Sequence, residues 1–107
     1  MINIRNRIQL VGPVSGIQTY ETENGTLYSR FNISTTESFA SIEGEKKSVV
    51  VKHACIAFNK QARFVRDFLS NGNDVAIEGR IIHLPKATAT ITIEDVVVEV
   101  TEVLKLH

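Results

Sequence analysis

Phe39 and Phe58 are the residues of this 107-residue chain whose surroundings leave their rings unexplained by packing. Phe39 lies in a polar arm between Ser38 and Ser41, where an aromatic has no evident core to join. Phe58 closes an apolar run from His53, and its parity with Ile56 and Ala54 would turn it outward, although a core position fits as well. Tyr20 and Tyr28 suit stacking or packing equally. An exposed ring offers a flat π-face to another ring, and that is binding chemistry. The reactive inventory is thin by comparison. No nucleophile pairs with a base, no phosphate loop is present, and no carboxylates cluster with a purpose. His83 and His107 lack metal spacing, and one cysteine cannot build a thiolate site. Cys55, in an apolar strand, reads as a small buried hydrophobe. The chain reads as a binder rather than an enzyme, without metal or cofactor.

The elements that must position these rings are legible between Ser48 and Ile82. An apolar run (Val49-Val50-Val51, then His53 to Phe58) predicts a third strand. Ala62 to Leu69 predicts a short amphipathic helix, with Asn59 as its N-cap and Gly72 in the left-handed position past its last turn. Phe64, Val65, Phe68 and Leu69 recur on one helical face and are expected to plug a barrel end as core residues. Arg63, Arg66 and Asp67 face solvent. Val75 to Ile82 predicts the fourth strand.

Upstream, Ile8 and Leu10 share parity with Ile4 until Gly12-Pro13 breaks or bends the first strand. Asn24-Gly25 is a hairpin turn signal. Leu27 to Thr35 alternates as a half-buried antiparallel strand, with Leu27, Phe31 and Ile33 on one face and Tyr28, Arg30, Asn32 and Ser34 on the other. Ser41 to Lys47 forms a polar hairpin tip, where Lys46-Lys47 reads as a solvated pair beside Glu43 and Glu45. Leu84 to Ala87 is expected to be a short connection, and the fifth strand runs from Thr88 to about Leu106. Its centre, Val96-Val97-Val98, is apolar on both faces, which calls for cover from the barrel or from another subunit. A lone helix between the third and fourth strands is the layout of an OB barrel, an all-β, five-stranded Greek-key module that binds oligonucleotides or oligosaccharides.

Composition agrees with a single domain spanning residues 1–107. No apolar run reaches membrane-spanning length, and Met1 to Arg7 has no signal-peptide pattern. The single cysteine suits a reducing compartment, so a cytoplasmic location is expected. Twelve basic residues balance twelve acidic ones, so no global positive field announces nucleic acid. The first 60 residues hold seven basic and five acidic side chains and the remainder five and seven, an asymmetry too small to be informative.

An ordered set of motifs resembles the bacterial single-stranded DNA-binding protein family. Asn6-Arg7-Ile8-Gln9-Leu10-Val11-Gly12 looks like that family's opening strand. Asn24-Gly25, then Phe31 to Phe39, is similar to its second strand and the following loop. His53, Phe58 and Lys60 match its Trp-His-x-x-x-x-Phe-Gly-Lys segment. Asn71-Gly72 and Val75 to Arg80 resemble its Lys-Gly turn and fourth strand. Each motif is weak alone; in order along nearly the whole chain they are specific.

The resemblance implies a strand of DNA laid over the barrel, its bases stacked on aromatics and its phosphates held by Lys and Arg. Phe58 falls on the family's stacking Phe, and Phe39 stands where a stacking Trp is common. Arg7 takes the place of a first-strand Lys, and Lys60 keeps the basic residue after the third strand. With Arg30, Lys52 and Arg80 these complete the expected DNA contacts. The implied assembly is a homotetramer, with a dimer as fallback, through His53, Val96 and Val98. The implied role is protection of single-stranded DNA in replication, recombination or repair, in the cytoplasm on the nucleoid. There are departures. Lys52 stands where a second Trp is usual, the chain has no Trp, and the fourth-to-fifth strand hairpin is expected to shrink to His83 to Ala87. The acidic, Phe-ended tail is absent, so tail-mediated recruitment is not expected. Weaker binding over a shorter site follows. Alternative readings are a primosome-type OB adaptor and an OB protein-interaction module whose DNA face has decayed.

Overall fold

Alternating apolar residues give a strand one dry face, and five such strands can bury those faces together by closing on themselves. The computed structural model describes residues 5–87 and 92–106. Its strands are β1 (Ile8–Glu21), β2 (Leu27–Ala40), β3 (Lys46–Phe58), β4 (Asp74–Ala87) and β5 (Thr92–Lys105). One helix, α1 (Asn59–Phe68), lies between β3 and β4. The strands form a closed barrel in the order β1-β2-β3-β5-β4, as the OB reading anticipates. The β3–β5 contact is the one parallel pairing among the described strands. The core is built from Leu10, Val14, Phe31, Ile33, Cys55, Ala57, Val75, Ile77, Val98 and Val100, with Val65 and Leu69 supplied from the helical segment.

The first strand does not break at Gly12-Pro13. It changes partner there. Residues 8–13 pair with β4, and β1 pairs with β2 from Val14 onward. Pro13 makes the last β4 pair, and the Val14 backbone turns to the loop before β4. Its N–H donates to Asn73 O at 2.9 Å, and its carbonyl accepts from Gly72 N at 2.7 Å. Such a changeover demands close approach of backbones. A Cβ on Gly12 would collide with the Ser34 carbonyl oxygen, and one on Gly79 with the Glu99 carbonyl oxygen.

The helix departs from expectation in detail. Asn59 is its first residue and carries a positive φ of 51°, while extended Phe58 takes the cap position without a side-chain cap bond. Gly72 is left-handed but lies three residues beyond the C-cap Leu69, in the turn where Asn73 N donates to Ser70 O. The buried stripe is Ala62, Val65 and Leu69. Phe64 packs partly against the core, whereas Phe68 is 62% exposed and leans on Phe64 with ring centroids 5.2 Å apart. Phe68 is thus not a core residue: three residues from Val65 but six from Ala62, it lies at the edge of the stripe that faces the barrel. Buried Ser29 fastens the helix to the sheet, its hydroxyl reaching Ala62 O at 3.3 Å and Thr19 Oγ1 at 2.8 Å.

Two hairpins are longer than the hydrophobic pattern suggests. The β2–β3 ladder is continuous from Tyr28 opposite Phe58 to Ala40 opposite Lys46. Leu84 to Ala87 is not a short connection but the end of β4, paired as far as Ala87 opposite Thr92. The hairpin arms therefore pair through His83 to Ala87 rather than turning there; β5 is described from Thr92, and its expected start at Thr88 lies outside the described residues. The β2–β3 extension leaves the barrel, with residues 36–40 and 46–50 exposed, so its ladder forms without the half-buried alternation that marks a strand in sequence. At the centre of β5, Val97 and Val98 are buried within the chain, while Val96 is 59% exposed.

Two outcomes follow. Gly79→Ala should lower stability by about 1–3 kcal/mol through overpacking, read as a shift of the urea midpoint. Burial pushes the Cys55 thiol up from its ordinary 9.0 to about 12, against a smaller opposing hydrogen bond with the Ile33 backbone. The unfolded chain therefore loses this proton first. The stabilisation is complete below pH 9 and is lost as pH rises from 9 toward 12. Cys55→Ala should flatten that part of the alkaline stability curve; identical curves for the two proteins would contradict the assignment.

Candidate nucleic-acid interface

Strand alternation and register decide which side chains meet on the outside of the barrel. Tyr20 pairs with Tyr28, and Tyr28 pairs with Phe58. The three rings form one row across β1, β2 and β3. Tyr20 and Tyr28 stack with centroids 5.2 Å apart and planes at 28°; Tyr28 and Phe58 lie 6.3 Å apart at 41°. The next row on this face reads Gln18, Arg30, Ile56, Glu99 and Arg80. Beyond it, Asn32 faces Ala54 and Ser34 faces Lys52. A shallow pocket of about 310 Å³ lies in this surface, lined in part by Gln18, Tyr20, Arg30 and Asn32.

The expected contact residues fall into separate groups. Arg30, Lys52 and Phe58 share the face just described, with Arg30 and Lys52 exposed and Phe58 half-buried. Arg80 is on the same surface, but its Nε is 3.0 Å from Glu99 Oε1. Arg7 pairs with Glu78. Both arginines are more than half exposed, and surface pairs of this kind contribute only about 0–1 kcal/mol, so a phosphate can compete for either. Lys60 sits apart in the first turn of α1. It lines a larger groove of about 660 Å³ with Val11, Phe64 and Leu104, on the β1–β4–β5 side.

Phe39 is on the opposite parity of the ribbon. It pairs with Lys47, is 51% exposed, and shares its pleat with Glu37 and Val49. Eleven residues separate it from Tyr28 along β2, about 35 Å of extended strand. Phe39 and Phe58 are thus two platforms, not one. Of the expected subunit contacts, Val96 is exposed and His53 is half-buried with Nε2 2.8 Å from Thr35 Oγ1. Val98 is a correction: it is 5% exposed and packs in the core, so it offers no surface. Among the described residues, no cluster of His, Cys, Asp or Glu could hold a metal ion. No described helix is long and apolar enough to cross a membrane.

The single-strand binding protein family model matches residues 5–101. The chain belongs to that family. Single-stranded DNA-binding protein 1 of Staphylococcus aureus (strain COL) is 29% identical over 77 residues, covering 71% of this chain and 45% of the relative. The single-stranded DNA-binding protein of Malacoplasma penetrans is 26% identical over 98 residues, covering 88% and 49%. The chain spans about half the length of these curated relatives. Two solved structures share the fold. A Plasmodium falciparum SSB complex with ssDNA superposes with a TM-score of 0.88 at 16% identity, covering 100% of this chain and 99% of that one. A deletion mutant of the Thermus aquaticus single-stranded DNA binding protein gives 0.84 at 20% identity, covering 96% and 51%. On the outer face of β1–β3, Tyr20 and Tyr28 join Phe58. Their pairing had a sequence signal: the turn at Asn24-Gly25 sets them opposite one another.

Exposure separates the phenylalanines energetically. Phe31→Ala, in the core, should cost about 3–5 kcal/mol of stability. Phe39→Ala, on the arm, should stay within about 0.5 kcal/mol. Urea unfolding of the two variants checks the assignment.

Proposed function

We propose that the chain binds single-stranded DNA without sequence preference and protects it during replication, recombination or repair. The observation that carries this reading is the outer face of β1–β3, where Phe58 shares one exposed surface with Arg30 and Lys52. An aromatic face stacks on any base, and cations beside it hold the phosphates that follow. Family membership supports the same reading, as does the likeness to a family structure in complex with ssDNA. Phe39 supplies a second platform on the β2–β3 arm, and Arg7 and Arg80 join when phosphate displaces their carboxylate partners. The role is binding rather than catalysis, with cytoplasmic, nucleoid-associated action. The working unit is a homo-oligomer, a tetramer in the first instance, built on apolar surface that one barrel leaves uncovered: Val11, Val96 and Leu104 are each about 60% exposed.

A titration with oligo-dT of graded lengths tests the reading directly. Phe58→Ala should lose about 1–3 kcal/mol of binding, the contribution of one stacked base, with affinity expressed per folded protein. Log affinity should fall with a shallow slope against log salt, because few basic side chains stand free to release counterions. A slope equivalent to about six or more neutralised phosphates per subunit would show that charge, not stacking, dominates. Light scattering at micromolar concentration should give an oligomeric mass; a monomer would remove the assembly.

A further inference from the structure

The aromatic row extends beyond Phe58 in a way that core packing does not explain. Tyr20, Tyr28 and Phe58 stand outside the hydrophobic core and outside the set of partly buried residues packed against it, which consists of Ile8, Ile17, Phe64 and Val103. Tyr28 instead contacts both of the other rings, Tyr20 at 5.2 Å and Phe58 at 6.3 Å. Tyr20 is 42% exposed, and its hydroxyl is held by Gln18 Oε1 at 2.6 Å. A ring fixed in this way keeps its orientation before any ligand arrives.

We infer that Tyr20, Tyr28 and Phe58 form one continuous stacking track, with Tyr28 the central ring that sets the other two, over which single-stranded nucleic acid runs across β1, β2 and β3. The inference rests on the single-strand binding reading and assigns its path. The row follows the hydrogen-bonding direction of the sheet, so its spacing comes from strand separation rather than from residues along one strand. Arg30 lies on the same face two residues from Tyr28, and Lys52 six residues from Phe58, both on the same side of the row. Bases laid on the rings thereby have their phosphates drawn toward that side. Three smaller rings in contact supply the stacking area in a chain that has no Trp.

The chain itself provides the probe. With two Tyr and no Trp, its intrinsic emission comes from Tyr20 and Tyr28 alone. Oligo-dT should quench the tyrosine emission of the wild-type protein in step with binding measured by anisotropy of a labelled oligonucleotide. Tyr28→Val should weaken that binding about tenfold, within the range of one stacked base. Tyr28→Phe should bind as wild type, and Tyr20→Leu should remove part of the quench and part of the affinity. Thermal unfolding of each variant reports folding, and the wild-type quench needs no variant. Binding with unchanged tyrosine emission would overturn the track and leave single-strand binding standing. An absence of binding by the wild-type protein would overturn both.

Discussion

The fold depends on one strand serving two neighbours. β1 spends residues 8–13 on β4 and the rest of its length on β2, and this exchange at Val14 turns a sheet into a barrel. Closure removes sheet edges and places Leu10, Val14, Phe31 and Ile33 around a single interior. The pairing of Tyr20 with Tyr28 is set from the other end of the hairpin, by the turn at Asn24-Gly25, because the β1–β2 register shifts between Ser15 and Gln18.

The ladders do not stop where the barrel does. The β2–β3 and β4–β5 ribbons continue to Ala40 opposite Lys46 and to Ala87 opposite Thr92. The β2–β3 ribbon has no interior to shelter, so its side chains at residues 36–40 and 46–50 are exposed on both faces. On the β2–β3 arm that leaves Phe39, Val49 and Val50 exposed. The rigid barrel carries the cross-strand aromatic row and the arm carries an isolated ring. A single strand of DNA meeting both would have to leave the barrel wall and follow the arm.

Electrostatics on this molecule are local. Opposite charges balance over the whole chain, and among the basic residues considered for binding, Arg7 and Arg80 already hold Glu78 and Glu99. Arg30 lies two residues from the aromatic row and Lys52 six, on the same face, whereas Lys60 belongs to the groove on the β1–β4–β5 side. On the proposed reading, such a surface would rely on π-faces for affinity and on a few cations for orientation.

The sequence by itself determined the barrel class, the lone helix between the third and fourth strands, and most of the core. Those features follow from local periodicity, which burial imposes wherever a strand or helix has one dry face. The turn at Asn24-Gly25 was legible for another local reason, since glycine accepts the positive φ of 87° found at Gly25. Tertiary structure alone decided that Gly12-Pro13 marks a change of partner rather than a break, because that choice depends on the distant strands β2 and β4. It also decided that Phe68 is exposed and Val98 buried, since one residue of rotation on a helix or one step along a strand reverses the outcome. The same holds for the proposed binding face. Phe39 and Phe58 look alike as isolated aromatics in the sequence, yet register and pleat place them on opposite faces and far apart. Tyr28, ambiguous in sequence, becomes the middle of a row because its two neighbours come from other strands.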